Sequence, residues 1–190
     1  MNKNKFRSLE TERLNLRRLY LKDTKQYFRV IGSSEQVSKY TLWEPHKNVV
    51  ETENLMREWV SQYSDNNFYK WAIVLKNTDE LIGIIQLLRF DVQNNSCEVA
   101  YLLGENYWNH GYMTEALKEV IKFSFNELEL SLINADHYSE NVASGKVLLK
   151  SGMKFIRKEK DHFNNSKGFD QLMCYSIKYE DWKQYHDDKK

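Results

Sequence analysis

The chain has 190 residues and a formal charge of +1, from 28 basic and 27 acidic residues. This length suits one domain with an ordinary hydrophobic core, and the balanced charge gives no reason to expect nucleic acid or an anionic membrane as a partner. No apolar run approaches the roughly 20 residues of a membrane span, and the N-terminal stretch lacks the apolar centre of a signal peptide. We therefore expect a single cytoplasmic domain over residues 1–190, with a core at 9–178 and frayed tails at 1–8 and 183–190.

The residue types that carry metal or nucleotide chemistry lack the spacing that such sites need. Cys97 and Cys174 are too few for a disulfide framework, and free thiols in a reducing compartment are the simplest interpretation. The five histidines are scattered, so we expect no metal site. The glycines form neither a G-x-G-x-x-G fingerprint nor a P-loop, and the chain contains no C-x-x-C, H-E-x-x-H or G-x-S-x-G motif.

Hydrophobic periodicity divides the chain into strands and helices. Leu14 and Leu16 alternate with polar residues, as in an opening strand, and Pro45 blocks a helix through the turn around it. The predicted elements are a strand at 11–19, helices at 22–32 and 51–64, strands at 69–76, 81–90 and 97–103, a helix from Thr114, a strand at 131–138, a helix at 141–150, and strands at 153–159 and 170–178. This order predicts an α+β or mixed α/β sheet flanked by helices.

The strand, turn and helix at 98–125 form the stretch with the clearest functional character. The run EVAYLL is apolar and β-prone, and the turn after it ends in Gly111, next to the start of an amphipathic helix. Such a junction directs the free N–H groups of a helix start towards an anion, and glycine allows a close approach of backbone and ligand. On spacing alone the signal is weak, because many such junctions bind nothing.

Three runs, E-V-A-Y-L-L at 98–103, Y-W-N-H-G-Y-M-T-E-A-L at 107–117 and E-N-V-A-S-G-K-V-L-L-K-S-G-M at 140–153, resemble the GNAT superfamily of acetyl-CoA-dependent N-acetyltransferases. The runs L-E-T-E-R-L-N-L-R-R-L at 9–19 and G-F-D-Q-L-M-C-Y at 168–175 fit the branch that includes the bacterial ribosomal-protein N-terminal acetyltransferases. The resemblance is specific for fold and cofactor rather than for the acceptor. It implies a central mixed, mostly antiparallel sheet with a splayed strand pair at the cofactor site.

The resemblance also implies how acetyl-CoA binds. The loop whose backbone N–H groups would wrap the pyrophosphate comprises Trp108, Asn109, His110, Gly111, Tyr112, Met113 and Thr114. The sequence departs from the superfamily pattern in this loop. Trp108 stands where Gln or Arg is usual, Asn109 where this branch commonly has Gly, and Met113 in place of the second small residue.

Beyond this loop, the family pattern assigns the rest of the cofactor to the neighbouring strand and helix. The backbone of Tyr101, Leu102 and Leu103 would pair with the pantetheine arm. Asn141 would touch the same arm, although it is also a natural helix N-cap. Lys146 and Lys150 could reach the adenosine phosphates, and the alternative for both is a solvated helix lysine.

Two residues are candidates for catalysis. The superfamily often places a catalytic carboxylate at the position of Glu98, where it could accept the proton of an ammonium substrate; a solvated strand-edge carboxylate is the alternative. Many relatives protonate the leaving thiolate with a tyrosine at the position of Leu148, so that route is closed here. The ribosomal-protein branch can use a serine instead, which makes Ser144 the expected thiolate donor.

The acceptor side is less well determined. Trp43 and His46 stand where the family's early loop forms a wall of the acceptor cleft, and Asp170 could attract a cationic amine or be an ordinary edge charge. We expect acetyl transfer to a primary amine by direct attack, with a protein or peptide N-terminus as the leading acceptor. The alternatives are a small amine such as a polyamine or aminoglycoside, and a catalytically silent CoA-binding protein. Sequence leaves a monomer and a homodimer equally open.

Overall fold

The computed structural model describes residues 6–161 and 167–187, which form one eight-stranded sheet with helices on both faces. Strands β1 to β8 span Leu9–Glu10, Leu14–Arg17, Tyr69–Leu75, Leu81–Asp91, Ser96–Leu103, Leu132–Tyr138, Lys154–Lys160 and Gln171–Lys178. Helices α1 to α6 span Thr24–Tyr27, Glu35–Ser38, Val49–Gln62, Tyr112–Asn126, Val142–Lys150 and Tyr179–Asp187. Shorter turns of helix lie at Leu21–Asp23, Phe28–Gly32 and Glu105–Tyr107.

The strand order is β1-β2-β3-β4-β5-β6-β8-β7, and every neighbouring pair is antiparallel except β5 and β6. The parallel contact between β5 and β6 is short. Ser96–Glu98 pair with Leu132–Asn134, and beyond that point the two strands separate, although both continue. The predicted mixed, mostly antiparallel sheet with a splayed strand pair is therefore confirmed.

The core consists of two apolar layers, one on each face of the sheet. On one face Leu117 and Ile121 of α4 are buried with Trp71 of β3, and on the other Met56 of α3 is buried with Val74 of β3. Strand β3 is buried along its whole length, which explains its nearly continuous apolar sequence. Each such buried side chain contributes about 1.5–3 kcal/mol of transfer free energy, so the two layers fix the sheet that carries the site.

The N-terminal elements are more broken than predicted. The strand expected at 11–19 is divided by a turn in which the Thr11 N–H donates to the carbonyl of Leu14. The helix expected at 22–32 consists of a 3-10 turn, one turn of α-helix and a π-helical turn at Phe28–Gly32. Helix α2 has only four residues, too few for a clear periodic signal, and was not predicted.

Both predicted tails are partly wrong. Helix α6 extends to Asp187, and its Trp182 ring lies 5.5 Å from that of Phe125. At the other end, the ring of Phe6 lies 5.2 Å from the buried Trp71. Residues 1–5 and 188–190 lie outside the described residues, as do residues 162–166 of the predicted β7–β8 loop. None of the helices in the described ranges combines the length and apolarity needed to cross a bilayer.

Candidate active site

A cleft of about 370 Å³ opens where β5 and β6 separate. Its floor is formed by β4, β5 and β6, one side by the segment at 37–43 after α2, and the other by the start of α5. Among the predicted site residues, the lining includes Trp43, Glu98, Tyr101, Leu102, Asn141 and Ser144. With Leu172 of β8, which also lines it, the cleft brings together residues from six separate parts of the chain.

Strand β5 directs backbone groups of alternate residues into this gap. The Gly104 N–H donates to the carbonyl of Ile82 at 2.8 Å, and the antiparallel register then directs the peptide groups of Leu102 towards β4 as well. The alternate residues Tyr101 and Leu103 direct their N–H groups to the opposite side, into the gap left by β6. Of the three residues predicted to pair with pantetheine, Tyr101 and Leu103 direct their N–H groups into the gap, whereas the backbone of Leu102 is turned towards β4.

The loop between β5 and α4 is held in a compact conformation by its own side chains. The Trp108 indole Nε1 donates to the carbonyl of Leu103 at 2.8 Å, and the His110 Nδ1 lies 2.7 Å from the carbonyl of Trp108. Asn109 and Gly111 both have left-handed backbone conformations, with φ of +63° and +80°. Asparagine tolerates this region better than most residues, which explains why it can replace glycine at position 109.

The start of α4 presents uncapped N–H groups. Gly111 is the N-cap residue and has no side chain, and within the described residues no acceptor is found for the N–H groups of Tyr112, Met113 and Thr114. Three orphan donors and the helix dipole favour an anion at this end. Met113 is 4% exposed and belongs to the core, so its bulk points away from the space that an anion would occupy.

Arg13, which sequence analysis did not identify, braces this loop from outside. Its guanidinium donates to Glu115 at 2.7 Å and to the His110 carbonyl at 3.1 Å, and it lies 4.5 Å from the ring centre of Tyr112. Burial alone would raise the pKa of Glu115, but hydrogen bonds from Thr11 and Arg13 outweigh it and lower the pKa. Glu115 thus remains charged and holds the arginine in place.

Ser144 faces the gap from the first turn of α5. Asn141 caps this helix, since its Oδ1 accepts from the Ser144 N–H at 3.3 Å, in agreement with the structural alternative for Asn141. The Ser144 Oγ lies 3.0 Å from the Tyr101 phenol oxygen, which is itself 3.2 Å from the Ser144 carbonyl. Burial raises the pKa of Tyr101, so the phenol keeps its proton. The Tyr101 hydroxyl can therefore donate to the Ser144 Oγ or to the Ser144 carbonyl, which leaves the Ser144 hydroxyl proton available for a group in the cleft.

A second polar pair lies beneath α5. The buried His137 has its Nδ1 2.7 Å from the Tyr138 carbonyl and its Nε2 3.4 Å from the Tyr175 hydroxyl. Burial lowers the pKa of His137, which favours the neutral ring with the proton on Nδ1. A Cβ on Gly145 would lie 2.6 Å from the His137 Nε2, so glycine is required for α5 to pack this closely.

Two carboxylates line the cleft, one from each of the strands that border the gap. Glu98 Oε2 lies 2.6 Å from Arg89 Nη1, so the predicted catalytic carboxylate is paired with an arginine. Asp136 of β6 lines the same cleft and was not predicted. Desolvation by the cleft walls and then the charge of Glu98 raise the pKa of Asp136, although its side chain is exposed at the mouth of the cleft.

The predicted acceptor residues are not all on the cleft wall. Trp43 lines the cleft, whereas His46 lies behind it, with its Nδ1 2.6 Å from the Thr52 Oγ1. Asp170 is exposed at the start of β8 and is not among the described residues that line the cleft, so its proposed contact with the acceptor is not supported. The loop instead contributes Lys167, whose Nζ donates to the carbonyl of Trp43 at 2.9 Å.

Lys146 and Lys150, the two lysines of α5 for which a phosphate contact and a solvated position were both considered, are exposed. Neither makes a salt bridge within the described residues. This is the environment of a solvated helix lysine, and it leaves both ammonium groups accessible to a bound phosphate.

Comparison with known proteins adds to this geometry. The chain matches the family described as acetyltransferase (GNAT) domain over residues 13–154. It is 32% identical over 144 residues to "Uncharacterized N-acetyltransferase p20" of Bacillus licheniformis, covering 74% of this chain and 79% of that protein. It is 24% identical over 174 residues to "Putative ribosomal N-acetyltransferase YdaF" of Bacillus subtilis (strain 168), covering 90% and 94%. Among solved structures, the ribosomal L7/L12 α-N-protein acetyltransferase RimL in complex with coenzyme A aligns with a TM-score of 0.79 and 14% identity, over 90% of this chain and 98% of that one.

Proposed function

The chain belongs to the GNAT acetyltransferase family, and on that premise we propose that it acetylates a primary amine, with the α-amine of a protein or peptide N-terminus as the leading acceptor. Family membership supports N-acetyl transfer from acetyl-CoA. The acceptor, the binding mode and the roles of individual residues are the content of the proposal. A cytoplasmic location is part of it, on the ground that Cys97 and Cys174 are both free thiols.

The observation that supports the donor site most strongly is the combination of the splayed strands with the uncapped start of α4. Pantetheine would lie along β5 and accept and donate hydrogen bonds at Tyr101 and Leu103. The pyrophosphate would lie against the N–H groups of Tyr112, Met113 and Thr114. The thioester would then lie next to Ser144, where backbone N–H groups of β5 can polarise its carbonyl.

The chemical step is direct attack of the neutral amine on the thioester carbonyl. The C–N bond forms, the C–S bond breaks, and the departing sulfur takes the electron pair. Ser144 lines the cleft within hydrogen-bond distance of Tyr101, and in this proposal it donates a proton to the thiolate. Neither cysteine is needed as a nucleophile, because Cys97 is buried and burial raises its pKa to about 12.

An N-terminal α-amine suits the cleft chemically. Its reference pKa of about 8 leaves a larger neutral fraction near pH 7 than that of a lysine side chain at about 10.4. The carboxylates of Glu98 and Asp136 attract its ammonium form, and Trp43 and Tyr40 offer apolar surface to the residues that follow. The names of YdaF and RimL point to ribosomal proteins as substrates of those relatives, which favours the same class here.

One observation favours a small amine as the second candidate. Tyr138 donates to Asp161 at 2.8 Å, and Lys167 bridges to the carbonyls of Ser38 and Trp43. The Lys167 contacts connect the described part of the β7–β8 loop to the segment at 37–43 on one side of the cleft, and we infer that they narrow the approach to it. A short acceptor would pass this constriction more readily than a folded protein terminus.

Thiol release from acetyl-CoA over a panel of peptides and small amines distinguishes these possibilities. The proposal expects the highest kcat/KM with a peptide that has a free N-terminus, and no activity when that terminus is already acetylated. A preference for polyamines or aminoglycosides over every peptide would favour the second candidate. Release with none of the acceptors, despite acetyl-CoA binding, would indicate a catalytically silent protein.

A further inference from the structure

The two carboxylates of the cleft have different partners. Glu98 is engaged by Arg89 at 2.6 Å, and Arg89 itself has a left-handed backbone with φ of +50°. This conformation belongs to a bulge, since the register between β4 and β5 shifts between Leu88 and Asp91. The Glu98 carboxylate is therefore already held by a short, charge-assisted hydrogen bond from Arg89.

Asp136 lies further into the splayed region than Glu98. Glu98 pairs with Asn134 at the last point where β5 and β6 are in register, and Asp136 follows two residues further along β6. Two residues of a strand advance about 6.6 Å, which takes Asp136 into the splayed region on the same face as Asn134. Its carboxylate therefore borders the gap at the level where Tyr101 directs its N–H group.

The carboxylate of Asp136 is also unengaged within the described residues, because no side chain or backbone N–H donates to it there. The charged groups around it come from β4, β5, β7 and the residue that follows β7. Desolvation by the cleft walls and the negative charge of Glu98 raise the pKa of Asp136. The positive charge of Arg89 lowers it, and the negative charges of Asp161 and Glu159 make smaller contributions that raise it. Cys174, opposite on β8, has its own pKa raised, chiefly by burial, and remains a neutral thiol.

We propose that Asp136 accepts the proton of the incoming ammonium, while Glu98 remains bound to Arg89 and contributes to the charge around Asp136. This inference rests on the proposed acetylation of a primary amine. The ammonium gives one proton to the Asp136 carboxylate and becomes a neutral amine with a free electron pair. That pair forms the C–N bond and the C–S bond breaks. Ser144 gives its proton to the departing thiolate, and the second nitrogen proton passes to the Ser144 oxygen and restores its hydroxyl.

The experiment compares Asp136→Asn with Glu98→Gln by measuring kcat/KM against pH at saturating acetyl-CoA. Asp136→Asn should lose about 10²–10⁴-fold near pH 7, as expected for lost general-base assistance, and recover at high pH, where the amine arrives neutral. Glu98→Gln should keep the acidic limb of the profile but move it to lower pH, because removing one negative charge and freeing Arg89 lowers the pKa of Asp136. Asp170→Asn, on an exposed residue outside the cleft, is the matched control and should behave as the wild type.

The reverse pattern would overturn the proposal: an abolished acidic limb in Glu98→Gln and a retained one in Asp136→Asn identify Glu98 as the base. Thermal melts and acetyl-CoA calorimetry confirm that each variant is folded and loaded. An NMR titration that follows the carbon-13 shift of the Asp136 carboxyl against pH tests the role of Asp136 without an amine acceptor. A failure of this inference is therefore distinguishable from a failure of the proposed function. The expected result is a titration above the ordinary aspartate range that falls in Glu98→Gln; a titration at or below that range contradicts the proposal.

Discussion

Lys70 provides a test of the sheet that carries the site. It is 5% exposed on β3, beside Gln86 of the cleft floor, and its Nζ lies 3.8 Å from the ring centre of Trp59. Burial lowers its pKa from 10.5 to about 7, with a smaller opposing effect of Glu58. We predict that Lys70→Met, which keeps a long, unbranched side chain and removes the amine, stabilises the protein at pH 7.

The magnitude follows from the pKa difference. A fall from 10.5 to about 7, at about 1.36 kcal/mol per unit, gives an upper bound of about 5 kcal/mol for the cost of burying Lys70. A desolvated cation–π contact with Trp59 returns about 2 kcal/mol, so we expect a gain of about 3 kcal/mol in the variant. Between pH 7 and 10.5 the unfolded chain binds more protons than the folded one, so the wild type becomes more stable as pH rises.

Urea unfolding of both proteins between pH 6 and pH 10.5 measures this difference. The gap in unfolding free energy should be largest at pH 7 and below, and should close as pH approaches 10.5. Lys118→Met, on the exposed face of α4, is the control and should show no such convergence. A Lys70→Met variant that is less stable at pH 7, with a constant gap across the range, would refute the reasoning and indicate that the ammonium is stabilised where it lies.

Two further predictions concern the cofactor loop and the thiolate. Gly111→Val should weaken acetyl-CoA binding in calorimetry, and its left-handed φ should cost about 1–3 kcal/mol of unfolding free energy. Asn109→Gly should preserve both the affinity and the stability. Full affinity in Gly111→Val would exclude this loop as the pyrophosphate site. Ser144→Ala should lower kcat far more than it weakens acetyl-CoA binding, and Tyr101→Phe should lower it less; unchanged turnover in Ser144→Ala would leave that hydroxyl only a structural role.

Local sequence signals were sufficient for the elements that build the site. The apolar run before Gly104 and the stripe starting near Thr114 placed β5 and α4 to within two residues, because each pattern reports burial on a regular element. Gly111 marked the turn correctly, since its φ of +80° is one that other residues rarely adopt. The same signals were weaker before residue 40, where short turns of different helix types replace one regular helix.

Contacts between distant parts of the chain could not be read from the sequence. Arg13 and Glu115 are separated by 102 positions and meet only because β2 passes beside α4. The direction of the Leu102 backbone depends on the register between β4 and β5, in which Leu102 lies opposite Ile84. The hydrogen bond from the Gly104 N–H to the Ile82 carbonyl shows which residues of β5 face β4. Asp136 was overlooked because an aspartate near the end of a strand has no distinctive pattern until the neighbouring strand is known to separate from it.

The central claim is that acetyl-CoA lies in the gap between β5 and β6 with its pyrophosphate at the start of α4. Backbone amide hydrogen exchange, measured by NMR with and without acetyl-CoA, tests it most directly. Protection should increase at Tyr101, Leu103 and the first residues of α4, while the Leu102 amide, already turned towards β4, changes little. Saturating acetyl-CoA that leaves the amides of Tyr101, Leu103 and Tyr112 unprotected, or that protects a different surface, would contradict the account.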